Sequence, residues 1–116
     1  YPRPSAHIAP YIEVLGPELA IDFLLRFGGA SMMLSRNPRG TTRAEELVGR
    51  EKLVALHAKL GGTTLRVPVA NTWLVPALDA QGLSKSEIAL RVRCSQTAVY
   101  RLLRRAEARM KEGKPV

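Results

Sequence analysis

The stretch from Ser84 to Ala106 admits few folds, because it carries two helix starts eleven residues apart. Ser84 and Glu87 form the S-x-x-E pattern of a capping box. In that pattern the hydroxyl accepts from the backbone N–H three residues on, and the carboxylate reaches back to the cap N–H. Ile88, Ala89 and Val92 give a short first helix its apolar side. Ser95 is a second N-cap candidate. After it, Val99, Leu102, Leu103 and Ala106 recur with a period of 3.6. Ala89 is small where two helices have to cross closely, and Val92, Cys94 and Val99 supply the plug between them. The spacing predicts a helix-turn-helix. Arg93 stands at the tight turn, where glycine is common. A side chain there costs roughly 1 kcal/mol and does not exclude the turn.

This reading gives the second helix a defined outer side. Gln96, Thr97, Tyr100, Arg101 and Arg104 project away from the apolar positions. Short polar side chains near a helix N-terminus can reach base edges in a major groove. Gln suits adenine, and the Thr methyl suits the thymine methyl. Ser95, at the helix start, is a further DNA-binding candidate, and Arg101, Arg104 and Arg105 sit further along, where phosphates would lie. Lys85, beside the free N–H groups of the first helix, is a further phosphate candidate. A plain helical hairpin with a solvated basic face is the alternative. The two caps, the small residue at the crossing and the arginine-rich second helix favour double-stranded DNA.

Charge supports that choice by its placement. The net charge is +8 over 116 residues, and the segment from Gly82 to Val116 holds nine Lys or Arg against three acids. The positive field therefore belongs to the end with the two caps, as a footprint on phosphate requires. A membrane surface would also attract it, but no continuous apolar face of the interfacial kind accompanies it. No apolar run approaches the length of a membrane span, and no signal peptide is visible. The lone Cys94 fits a reducing cytoplasm, with the protein at the nucleoid. The first residue is Tyr rather than Met, so residues preceding Tyr1 are expected. Six aromatic residues leave a mainly aliphatic core, small enough that a partner subunit would help to complete it.

Upstream, Tyr1 to Pro10 carries three prolines and reads as an extended arm. From Pro17 the pattern is helical: Glu18 complements the helix dipole, and Ile21, Leu24, Leu25 and Phe27 face a core. Gly28-Gly29 stops it, Ala30 to Leu34 reads as a short strand, and Ser35 to Gly40 as a polar loop. The same grammar returns. Thr41 or Thr42 caps a helix running to Leu60, with Gly49 as a break or bend. Gly61-Gly62 stops it, and Thr64 to Pro68 reads as a second strand. At an offset of 33, Glu18 meets Glu51, Phe23 meets Leu56, Ser31 meets Thr64 and Met32 meets Leu65. Two such units could pair their strands about a pseudo-two-fold axis. Chance similarity between two ordinary helix-turn-strand units accounts for the same letters, and both readings stand. Between Pro68 and Gly82, Trp73, Leu74, Val75, Ala77 and Leu78 suggest a short helix that packs on the motif, with Trp73 as a buried anchor.

The expected fold is mainly α with short β-strands: helix–Gly-Gly–strand units followed by a carboxy-terminal helix-turn-helix. Its divisions are a flexible arm over 1–16, a helix and strand dimerisation region over 17–68, a connection over 69–82 and the DNA-binding region over 83–116. No enzyme is expected, because no nucleophile, base and acid stand together. His7 and His57 lack metal spacing, so no metal is expected. The glycine pairs belong to no nucleotide-binding pattern, and no cofactor is expected.

From Leu53 to Arg105 the chain resembles the Mor/C family of phage transcription activators. The resemblance rests on the aliphatic helix ending in Leu60-Gly61-Gly62, on Thr64-Leu65-Arg66-Val67-Pro68, and on the polar-capped Ser84 to Leu103 segment with Val99-Tyr100. It implies an amino-terminal dimerisation region, carboxy-terminal DNA binding and activation through RNA polymerase, with a homodimer as the working form. Carried over by position, Gln96, Thr97, Tyr100, Arg101 and Arg104 would face DNA. The upstream copy around Gly28-Gly29 departs from a single-copy pattern, and one chain could supply both halves. The carboxy-terminal helices also resemble the promoter-reading region of sigma factors. This leaves a module that binds RNA polymerase rather than DNA as the second reading.

Overall fold

The computed structural model describes residues 1–33, 43–61 and 64–116. Among them the chain is mainly helical, with two three-residue strands. It divides into two compact units, one made of Ala6–Val69 and the other of Tyr1–Ser5 with Ala70–Val116. The polar loop and the capping threonine expected between positions 35 and 42 lie outside the described residues.

In the Ala6–Val69 unit, α1 (Ala9–Leu15) and α2 (Pro17–Phe27) precede β1 (Ser31–Met33). Then come α3 (Arg43–Val48), α4 (Arg50–Leu60) and β2 (Thr64–Arg66). The arm expected over 1–16 is corrected by α1. Pro10 falls in the first turn of that helix, where a backbone N–H has no partner to lose. Ile8, Tyr11 and Leu15 follow at helical spacing and are buried. Gly49 does break the helix leading to Leu60. It holds φ 85° and ψ 155°, so α3 ends at Val48 and α4 starts at Arg50. The two strands pair antiparallel, with Ser31 opposite Arg66, Met32 opposite Leu65 and Met33 opposite Thr64. Helix α1 packs on α2 and α4, and α3 packs on α4 and α2. Tyr11 and Phe23 stack at 5.8 Å between ring centroids, and Phe23 meets Phe27 at 5.1 Å.

The other unit is built from α5 (Asn71–Ala80), α6 (Lys85–Val92) and α7 (Gln96–Lys111), each packed on the other two. Most of the stretch expected as a connection is thus α5. Trp73 is fully buried, and its indole N–H donates to the Pro2 carbonyl at 2.9 Å. A buried indole keeps its one polar atom satisfied in this way. The first residues are therefore held against this unit. The Val116 N–H donates to the Arg3 carbonyl at 2.9 Å, and the Arg3 guanidinium donates to the Gly113 carbonyl.

Candidate nucleic-acid interface

Both cap serines do what their spacing predicts. Ser84 Oγ accepts from the Glu87 N–H at 3.2 Å and starts α6, while Ser95 Oγ accepts from the Ala98 N–H at 3.1 Å and starts α7. The turn between them runs through Arg93 at φ 56° and ψ 49°, the one non-glycine residue with positive φ among the described residues. The Arg93 and Cys94 N–H groups both reach the Ala89 carbonyl, so α6 ends with its acceptor occupied. Ala89 is buried, as a close crossing asks. Ile88 and Val99 are fully buried, while Val92 and Cys94 are only partly covered.

Helix α7 buries Val99 and Ala106 and half-covers Leu102 and Leu103. The opposite side is open. Gln96, Thr97, Tyr100, Arg101, Arg104 and Arg105 are all exposed. At 3.6 residues per turn they span about half the helix circumference. Their order along the axis is short polar groups first and cations after. Among the described residues, no carboxylate pairs with Arg101, Arg104 or Arg105. Three cations thus face solvent from one side of one helix, and among the described residues none is within salt-bridge distance of a carboxylate.

Two of the expected site residues are engaged elsewhere. Lys85 Nζ bonds Asp79 Oδ1 at 2.9 Å, which ties α6 to the last turn of α5. That bond, and after it the charge of the carboxylate, raises the Lys85 pKa and keeps the ammonium protonated. Its charge is nevertheless offset locally, so a phosphate there would compete with Asp79. Ser95 spends an acceptor site on its cap and keeps its O–H as a donor.

The structure exposes two further groups, Arg93, which the sequence places at the turn, and Leu90, which it does not single out. Arg93 is exposed at the turn that leads into α7, and Leu90 is the most exposed large apolar residue described, at 78%. A helical wheel of α6 could have flagged Leu90, which lies off the side bearing Ile88, Ala89 and Val92. Among the described residues no three His, Cys, Asp or Glu gather as a metal site would need. No described helix is long and apolar enough to cross a membrane. Set against protein-family models, curated proteins and solved structures, the chain matches none.

Proposed function

We propose that the chain is a sequence-specific DNA-binding transcription activator, with α6 and α7 acting as a helix-turn-helix and α7 as the reading helix. The observation that carries this is the open side of α7, where Gln96, Thr97 and Tyr100 precede Arg101, Arg104 and Arg105 without covering groups or paired carboxylates. A helix laid in a major groove places its N-terminal side chains at base edges and its later cations near phosphates. The likeness to Mor/C activators extends the proposal to a phage or phage-derived origin, to a place at the nucleoid and to action with RNA polymerase. In that family's pattern two chains pair and set their reading helices on half-sites about one helical turn apart; this chain pairs its two strands within itself, so that part of the pattern is not carried over.

A second reading has its own support. Leu90, exposed on α6, offers nothing to phosphate, yet it would suit an apolar protein surface. On this reading the unit binds RNA polymerase directly, with the cations of α7 against an acidic face. Mobility shifts with random-sequence duplexes at low salt, beside a polymerase pull-down after nuclease treatment, separate the two. DNA binding that weakens steeply with salt supports the first reading. No shift at any salt, with polymerase retained, replaces it by the second.

A further inference from the structure

The elements of the Ala6–Val69 unit repeat in space as well as in sequence. Adding 33 to the bounds of α2 gives α4, and adding 33 to those of β1 gives β2. The last residue of α1 maps on the last residue of α3 in the same way. The agreement reaches single torsions and bonds. Gly16, at φ 82° and ψ 159°, corresponds to Gly49, at φ 85° and ψ 155°. That region of backbone space belongs essentially to glycine. The Gly16 N–H donates to the Ile12 carbonyl at 2.8 Å, and the Gly49 N–H donates to the Glu45 carbonyl at 2.8 Å, again 33 residues on.

Burial follows the same offset at four pairs of positions, while Ile21 and Leu24 are buried where Val54 and His57 are partly covered. Tyr11 and Ala44, Leu15 and Val48, Ala20 and Leu53, and Phe23 and Leu56 are buried in corresponding pairs. The charge types correspond as well: α1 meets α4 through Glu13 and Lys59 at 2.8 Å, and the corresponding positions carry Glu46 and Arg26, although that second pair does not form a salt bridge.

The strand register decides what kind of repeat this is. Exchanging the copies turns the Ser31–Arg66 pair into the Met33–Thr64 pair, and leaves Met32 opposite Leu65. The pairing is unchanged by the exchange, as a two-fold axis requires. Packing agrees, since α1 lies on the α4 of the other copy and α3 on the α2 of the other copy. Neither copy has enough chain to bury a core alone, and each closes the other. Such a self-complementary interface is what two identical subunits form about a dyad.

We infer that residues 9–66 are a dimerisation fold completed within one chain, so the protein is a monomer that reads a single, non-repeated DNA element through its one α7. The DNA half of this inference rests on the function proposed above; the monomer half does not. Covalent linkage raises the effective concentration of one copy around the other to the order of millimolar. At micromolar concentrations a second chain does not compete for the same interface.

Three measurements test it. Light scattering on the chain of residues 1–116 is expected to return the mass of one copy, 12.7 kDa; twice that mass overturns the inference. In a Cys94→Ala background, Ser31→Cys with Arg66→Cys places thiols at paired positions of β1 and β2. Oxidation is expected to give a cross-linked single chain, and a disulfide-linked pair of chains overturns it. Selection of bound duplexes from a random pool is expected to enrich one asymmetric element. Enriched inverted repeats overturn the single-element claim. An absence of any enrichment removes the DNA half alone, and the mass and the cross-link still decide the other.

Discussion

Met32 and Leu65 stand opposite each other in the antiparallel pair, and they are also the residues that correspond at the 33-residue offset. That register is the one that the two-fold relation inferred above would impose. Hairpin register is fixed by the loop, but α3 and α4 lie between β1 and β2, so no tight turn sets theirs. Here it coincides with the register that symmetry alone would choose.

The equivalence of Gly16 and Gly49 can be tested energetically. Neither glycine has a neighbour within 4 Å of a built Cβ, so an alanine there meets backbone strain rather than a clash. Gly16→Ala and Gly49→Ala are each expected to destabilise by about 1–3 kcal/mol, the cost of holding a side chain in a sparsely populated region. Urea midpoints with unchanged slopes would show it. If only one of the two sites resists alanine, the copies are not equivalent at their central turn.

Much of this was legible in the letters. The caps at Ser84 and Ser95, the Gly28 and Gly61 stops, and the break at Gly49 each depend on chemistry within one turn of chain. What escaped was governed by distant partners. Three prolines made the start of the chain read as loose, yet Pro10 sits in a first helical turn, and the Pro2 carbonyl accepts from Trp73, seventy-one residues away. Lys85 was read as free because its partner, Asp79, lies on the preceding helix rather than one turn away. The outer side of α7 was legible because Val99 and Ala106 fix its inner side by spacing alone.

Arg93 carries strain that substitution should reveal. Its left-handed backbone costs a side-chain-bearing residue about 1–2 kcal/mol. Glycine removes that cost, and returns about 0.5–1 kcal/mol through its freer unfolded chain. Arg93→Gly is therefore expected to stabilise the protein by up to about 1.5 kcal/mol. Arg93→Val is expected to destabilise it, because a branched side chain is a poor fit at positive φ. Thermal melts of the two variants should move in opposite directions. A lower melting temperature for Arg93→Gly would contradict the assigned turn.

Tyr11 gives a pH dependence with a definite sign. Burial pushes its phenol above the ordinary value of 10.0. In the unfolded chain the phenol ionises near 10.0, while in the folded chain it keeps its proton longer. Above that pH the folded state holds more protons, so stability falls as pH rises. Tyr11→Phe keeps the ring that stacks on Phe23 and removes the titration. The expected result is a change below about 1.5 kcal/mol at neutral pH, and a shallower loss of stability at alkaline pH. Equal alkaline slopes for variant and parent would place the titration elsewhere.

The open side of α7 makes the sharpest separation. Arg104 is exposed and unpaired among the described residues, well along the helix from its cap. If it meets phosphate, Arg104→Ala weakens binding to every sequence alike and lowers the slope of log affinity against log salt by about 1. Gln96 lies in the first turn, where a base edge is within reach. Gln96→Ala is expected to lose about 1–3 kcal/mol of discrimination at one base pair while leaving the salt slope in place. Titrations on the selected element and on single-base variants of it, at several salt concentrations, distinguish the two roles. A salt-slope change from Gln96→Ala, or a change of sequence preference from Arg104→Ala, would mean that α7 lies along the duplex in a different direction from the one proposed.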